Sequence, residues 1–249
     1  MPYKKLSRHV YLVGGKTLSH PSDCNVYLID GRPAECVLID SGCGLNTLKI
    51  LKNIEEAGFN LGRVSAIINT HCHYCHAGGN RKLNKYLGYI ETIIHELDAT
   101  AVENGDNILT GANLHKGVFE PCQVNVRVFT SDTELMKFLG FGDKLWITAG
   151  SINLSTIHLP GHTPGSMGLY GIIDGLHILF AGDIDGPFRR EWNSNIVSWY
   201  NSINSLLMLK IDRMYLGHKI IAEGIEDWLI RKLFEAHGNG GKQRPQINS

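Results

Sequence analysis

Three imidazoles and two thiols fall within six residues, His71-Cys72-His73-Tyr74-Cys75-His76, ahead of Ala77-Gly78-Gly79-Asn80. Imidazole is the commonest metal-binding side chain and thiolate suits zinc, so the leading chemistry is that of a metal ion. In an extended segment residues i and i+2 point the same way, which lets His71 and His73 share one ion. His76 falls where the chain turns and can face a second. Further along, Pro160-Gly161-His162-Thr163-Pro164-Gly165-Ser166, Gly182-Asp183 and Gly217-His218 each follow an apolar run. Loops at the ends of strands, held by a rigid sheet, are where sites are built.

The elements that must position these residues can be read from the hydrophobic pattern. Val64-Ser65-Ala66-Ile67-Ile68 is short, β-branched and broken off by Asn69-Thr70, which predicts a buried strand directly before the histidines. Earlier strands are expected at 9–13, 24–30 and 36–40, and later ones at 91–94, 167–170, 178–181 and 213–216. Residues 142–157 alternate as a hairpin. Leu48, Leu51, Ile54 and Ala57 keep helical spacing, predicting a helix over 46–57 that Gly58 ends. Helices are also expected over 80–87, 96–103, 196–209 and 225–236. Early strands without helices, followed by alternation, predict mixed α/β layering. From 104 to 140 the pattern weakens, and a segment this long reads as a lid or substrate-facing insertion. Residues 238–249 are polar and Gly-rich, as in a flexible tail.

Bulk composition narrows the classes. At 249 residues the chain can bury a large core as a single domain over 1–237. Its 43% hydrophobic and 19% charged content are those of a soluble globular protein. Basic and acidic residues balance at 24 each, so no nucleic-acid or membrane partner is expected, only a small-molecule substrate. Six irregularly spaced cysteines do not read as a disulfide framework, which predicts a cytoplasmic protein with reduced thiols. A homodimer is the ordinary default for the oligomeric state.

His71-Cys72-His73-Tyr74-Cys75-His76, the Gly161–Ser166 loop, Gly182-Asp183, Gly217-His218 and Leu38-Ile39-Asp40-Ser41-Gly42 together resemble the metallo-β-lactamase superfamily in order and approximate spacing. The resemblance spans about His9 to His237, and the Gly-His-Thr-Pro-Gly-Ser loop is most similar to the glyoxalase II and lactonase-like hydrolases. It implies a four-layer αββα sandwich with two mixed sheets and the metals at one edge. It also implies that His71, His73 and His162 hold a first ion, that His76 and His218 hold a second, and that Asp183 bridges the two. Zinc is the expected metal, two ions of it, with iron or manganese as alternatives. Two such ions, roughly 3.5–4 Å apart, would activate a shared hydroxide against the carbonyl of a small ester, thioester or lactone. Asp183 could also carry the proton to the leaving group.

Cys75 departs from the family, which usually has Asp there. Its thiolate takes over as a ligand, or the second position is weakened and the water less well oriented. Cys72 and Cys75 also form a CxxC spacing, but no thioredoxin-like pattern surrounds them. Cys72 is expected in the core and Asp40 as an orienting group. Arg189 and Arg190 read as a solvated pair rather than an anion site, and His95, His115, His158 and His177 as structural or surface residues. Rival readings are a mononuclear iron oxygenase of the persulfide dioxygenase type, a nuclease of the same fold, and a weakly active metal-binding protein.

Overall fold

The computed structural model describes residues 2–33, 35–88, 90–130, 146–149 and 152–239. Among them, thirteen strands form two sheets. The first runs in chain order: β1 (Lys4–Lys5), β2 (Val10–Gly14), β3 (Val26–Asp30), β4 (Cys36–Ile39), β5 (Val64–Ile68), β6 (Glu91–His95) and β7 (Val126–Val128). Pairing is antiparallel from β1 to β4 and parallel from β4 to β7. The second comprises β8 (Trp146–Ala149), β9 (Ile152–His158), β10 (Met167–Ile173), β11 (Leu176–Gly182), β12 (Arg213–Leu216) and β13 (Ile220–Ile221). It too is mixed, because β11 and β12 run parallel while the remaining pairs are antiparallel.

Strand periodicity explains the layering. Val10, Leu12, Tyr27, Ile29, Val37 and Ile39 point into the space between the sheets, where they meet Leu154, Leu169, Ile178, Phe180 and Tyr215. Their neighbours Tyr11, Val13, Val26, Leu28 and Leu38 point the other way, onto Ile50, Leu51 and Ile54 of helix α1 (Thr47–Glu56). The second sheet is covered outside by α5 (Ile196–Leu206) and α6 (Ile225–Asn239), through Trp199, Ile203, Leu206 and Leu229. Strands buried on both faces read as continuous apolar runs, and these do. The result is the expected αββα sandwich. In the chain between α1 and α5 come α2 (Tyr74–Ala77), α3 (Asn80–Leu87) and α4 (Glu96–Asn104).

Several boundaries differ from the sequence reading. Strands β10 and β11 run three and two residues further towards one another and close on Asp174-Gly175, a hairpin turn signal. The helix expected over 196–209 stops at Leu206. The last helix continues to Asn239, into the stretch read as a tail, whose remaining residues lie outside those described. Within the 104–140 segment, β7 and a short turn of helix at Ala112–His115 are formed, while 131–140 lie outside the described residues. The hairpin over 142–157 is formed where described, with Trp146 opposite Ser155.

Candidate metal centre

Five loops converge at one edge of the sandwich, and each leaves the C-terminal end of a strand. β4 delivers Asp40, β5 delivers His71 and His73, the loop after β9 delivers His162, β11 delivers Asp183 and β12 delivers His218. Cys75 and His76 lie on α2, a single helical turn. Adjacent side chains on a helix diverge by about 100° rather than the half-turn of a strand, so both can approach one ion.

The donors form two sets. His71, His73 and His162 place one ring nitrogen each within 4.8 Å of one another, as do ligand atoms of Cys75, His76, Asp183 and His218. Asp183 Oδ2 lies 3.3 Å from His76 Nε2, 3.6 Å from His218 Nε2 and 3.7 Å from His162 Nε2, between the two sets. All seven residues named from the sequence are therefore brought together.

Buried side-chain nitrogens normally find partners, yet Nε2 of His71, His73, His76 and His162 is buried with none. On the other side of three of these rings Nδ1 is engaged. His162 Nδ1 donates to the Pro187 carbonyl at 2.6 Å, and His76 Nδ1 donates to Asp40 Oδ2 at 2.8 Å. His71 Nδ1 lies 3.1 Å from the Thr70 hydroxyl, which itself donates to Asp40. Such partners fix the tautomer and leave Nε2 with its lone pair free, which is how histidine is prepared for a metal. The chemistry of the donor set fits a divalent cation.

Electrostatics agree. Burial pushes His71 and His73 well below the ordinary imidazole value, and repulsion within the cluster adds to it, so these rings are neutral, the form in which imidazole can bind a metal. Burial acts to raise Asp183, but the neighbouring His76 and His218 rings hold its carboxyl well below the usual range. Burial likewise acts upward on the Cys75 thiol, and His76 and His218 outweigh it and draw the thiol down. Hydrogen bonds to Asp183 and Cys75 raise His218 to about 9.

Two carboxylates brace the loops. Asp40, held at φ +63°, accepts from the Thr70 amide and hydroxyl as well as from His76, as the orienting role expected for it requires. Asp98, in the first turn of α4, accepts from the Cys72 amide, the Thr163 hydroxyl and the Gly165 amide. It ties the His71–His73 loop to the His162 loop, and burial raises its pKa against those hydrogen bonds. Nothing in the local sequence marks Asp98 for this work, because its partners are 26 to 67 residues away. Cys72 packs into the apolar cluster as expected, and Arg189 pairs with exposed Glu191.

A cavity of about 210 Å³ opens over the donors, walled by Tyr74, Thr110, His115, Pro187 and Trp192. Trp192 is 7% exposed and packs on His73 with ring centroids 4.2 Å apart. Neither Trp192 nor His115 stood out in the sequence. His115, read there as structural or surface, is an exposed residue on the cavity wall, carried there by the short helical turn at Ala112–His115.

The sequence pattern of the metallo-beta-lactamase superfamily matches residues 21–218. The chain belongs to that superfamily. Among relatives, human acyl-coenzyme A thioesterase MBLAC2 is 24% identical over 251 residues, covering 95% of this chain and 81% of its own length. The hydroxyacylglutathione hydrolase of Vibrio cholerae is 24% identical over 213 residues, covering 84% of this chain and 67% of its own length. Among solved structures, a metallo-β-lactamase of Cronobacter sakazakii superposes with a TM-score of 0.79 at 20% identity, covering 99% of this chain and 96% of that one. The αββα fold of the superfamily is thus present across the described residues, and the hydroxyacylglutathione hydrolase likeness accords with the glyoxalase II-like loop around His162.

Proposed function

We propose that this metal-dependent hydrolase cleaves small thioesters, with esters and lactones as secondary substrates, at a centre for two divalent ions. Superfamily membership and relatives named as a thioesterase and a hydroxyacylglutathione hydrolase support hydrolysis of thioesters. The observation that supports the centre itself is the set of four buried Nε2 atoms without a hydrogen-bond partner, two of them, of His76 and His162, within 3.7 Å of the Asp183 carboxylate. His71, His73 and His162 would hold one ion, His76 and His218 the other, and Asp183 would reach both. Zinc suits this donor set best, with iron or manganese as alternatives. Ions bound there supply acidification of a water and polarisation of the carbonyl oxygen.

The chain's own residues do the rest. Trp192, Tyr74 and Pro187 wall the cavity with apolar surface that holds an acyl group and excludes bulk water. Asp183, held ionised between imidazoles, would accept a hydrogen bond from the attacking water and orient it. Asp40 and Asp98 keep the rings aimed while this occurs. Six unpaired, buried cysteines support a reducing, cytoplasmic setting, and among the described residues no helix is long and apolar enough to cross a membrane.

The test is metal analysis with a substrate screen. Protein purified with two equivalents of zinc should hydrolyse short acyl thioesters, and His162→Ala should lose at least about 100-fold in kcat/KM while staying folded. One equivalent of iron with oxygen consumption on a persulfide would instead establish the oxygenase chemistry and sink the hydrolase reading.

A further inference from the structure

All six cysteines are buried and unpaired, but they are not alike. Cys24 and Cys36 pack in the apolar cluster under α1, and Cys43, Cys72 and Cys122 in the one beside α4. Cys75 belongs to neither, nor to the two remaining apolar clusters among the described residues. A buried thiol is ordinarily a small apolar group, and Cys36, Cys72 and Cys122 behave so, while Cys24 and Cys43 also approach both imidazole and carboxylate groups. The surroundings of Cys75 are His76, Asp183 and His218.

We propose that Cys75 binds the second ion through its thiolate, completing a sulfur–nitrogen–oxygen–nitrogen set with His76, Asp183 and His218. The two positions then differ in kind, one all-imidazole and one containing sulfur. This deepens the two-ion reading and rests on it for the existence of the centre. Tetrahedral zinc at ordinary bond lengths separates its ligand atoms by about 3.3–3.8 Å. Asp183 Oδ2 already lies 3.3 Å from His76 Nε2 and 3.6 Å from His218 Nε2, so little movement is needed for those donors to close on an ion.

No other thiol competes. Cys24 approaches His76 from the side of Asp40, but His76 Nδ1 and Asp40 Oδ2 are bonded to each other at 2.8 Å and have no donor to spare. Cys24 Sγ faces the Asn25 carbonyl at 3.5 Å, and Cys72 Sγ faces the Leu109 carbonyl at 3.7 Å. A third cluster, His20, Asp23 and Cys43, is satisfied internally: Asp23 accepts from the Cys43 amide and the Ser19 hydroxyl, and His20 Nδ1 accepts from the Ser22 amide. A position with one thiolate among harder donors favours thiophilic cations over magnesium, calcium or manganese.

Cobalt reports on this directly. Metal-stripped protein titrated with Co²⁺ should develop a near-ultraviolet sulfur-to-cobalt charge-transfer band, together with the visible bands of the imidazole position. The charge-transfer band should vanish in Cys75→Asp, which keeps a donor in place, and persist in Cys24→Ser and Cys72→Ser. A native protein that binds cobalt without the band, or a band that survives in Cys75→Asp, would overturn the assignment. The cobalt stoichiometry reads the two-ion centre separately. One equivalent carrying the band would leave the Cys75 ligand standing and overturn the two-ion reading; one equivalent without it would overturn both.

Discussion

His95 and His158 stack at 4.1 Å with 9° between their ring planes, bridging β6 and β9 behind the metal loops. His95 Nδ1 accepts the Leu97 amide and so caps α4, while His158 Nε2 donates to the Pro164 carbonyl. Burial, with repulsion from His158 added, pulls His95 down to about 3, and burial lowers His158 as well. A proton on His95 Nδ1 would displace the cap and meet a second imidazole. Because the folded value lies below the unfolded one, near 6.5, stability is fully present above pH 6.5. It falls as the pH drops towards 3, by up to about 1.4 kcal/mol per unit for this group. His95→Asn, which keeps a capping acceptor without titrating, should flatten that acid limb in denaturation curves measured between pH 7 and 4. An unchanged slope would assign the acid sensitivity to other groups. The sequence reading of both residues as structural or surface holds on its structural side. What it lacked was the stack, since 63 residues separate the two rings and only packing joins them.

At the scale of elements, the strand ends govern how closely the donors can gather. A Cβ on Gly217, just after β12, would stand 2.2 Å from Asp183 Oδ1 and 2.5 Å from His76 Cε1; one on Gly182, at φ +52°, would stand 2.7 Å from the Thr70 hydroxyl. Glycine is needed at both places, at Gly217 because Asp183 and His76 fill the space and at Gly182 because Thr70, which touches the His71 ring, does. Gly217→Ala is therefore expected to retain its far-ultraviolet circular dichroism yet lose metal from the second position. Metal analysis after desalting that finds full loading would contradict this. The strands that carry these glycines were legible because their two covered faces demand unbroken apolar runs. Helix α2 was not, since Tyr74-Cys75-His76-Ala77 is too short for any period. Nor was β7, which gains its place by pairing with β6 rather than from its own three residues.

For the whole molecule, the centre is a clasp between two sheets. His71, His73, Cys75 and His76 come from the first, and His162, Asp183 and His218 from the second, so an ion bound by both sets ties the halves together. Ligand that binds only the folded state adds about 4 kcal/mol when present at a thousand times its dissociation constant. At roughly 2–4 °C per kcal/mol for a chain of this size, chelation should lower the melting temperature by about 8–16 °C, and re-addition of zinc should restore it. A melting curve indifferent to chelator would mean that the halves are held by the inter-sheet core alone. By itself the sequence named the candidate donors and placed them after strands, because ligand chemistry and hydrophobic period are local properties of the chain. The resemblance to the superfamily already implied how these residues sort about Asp183; only the tertiary structure decided how closely they gather, and that Asp98 joins two of their loops. It alone also set Cys75 apart from five other buried thiols. Those are distances between residues remote in the chain, set by the packing of two sheets, and no local pattern encodes them.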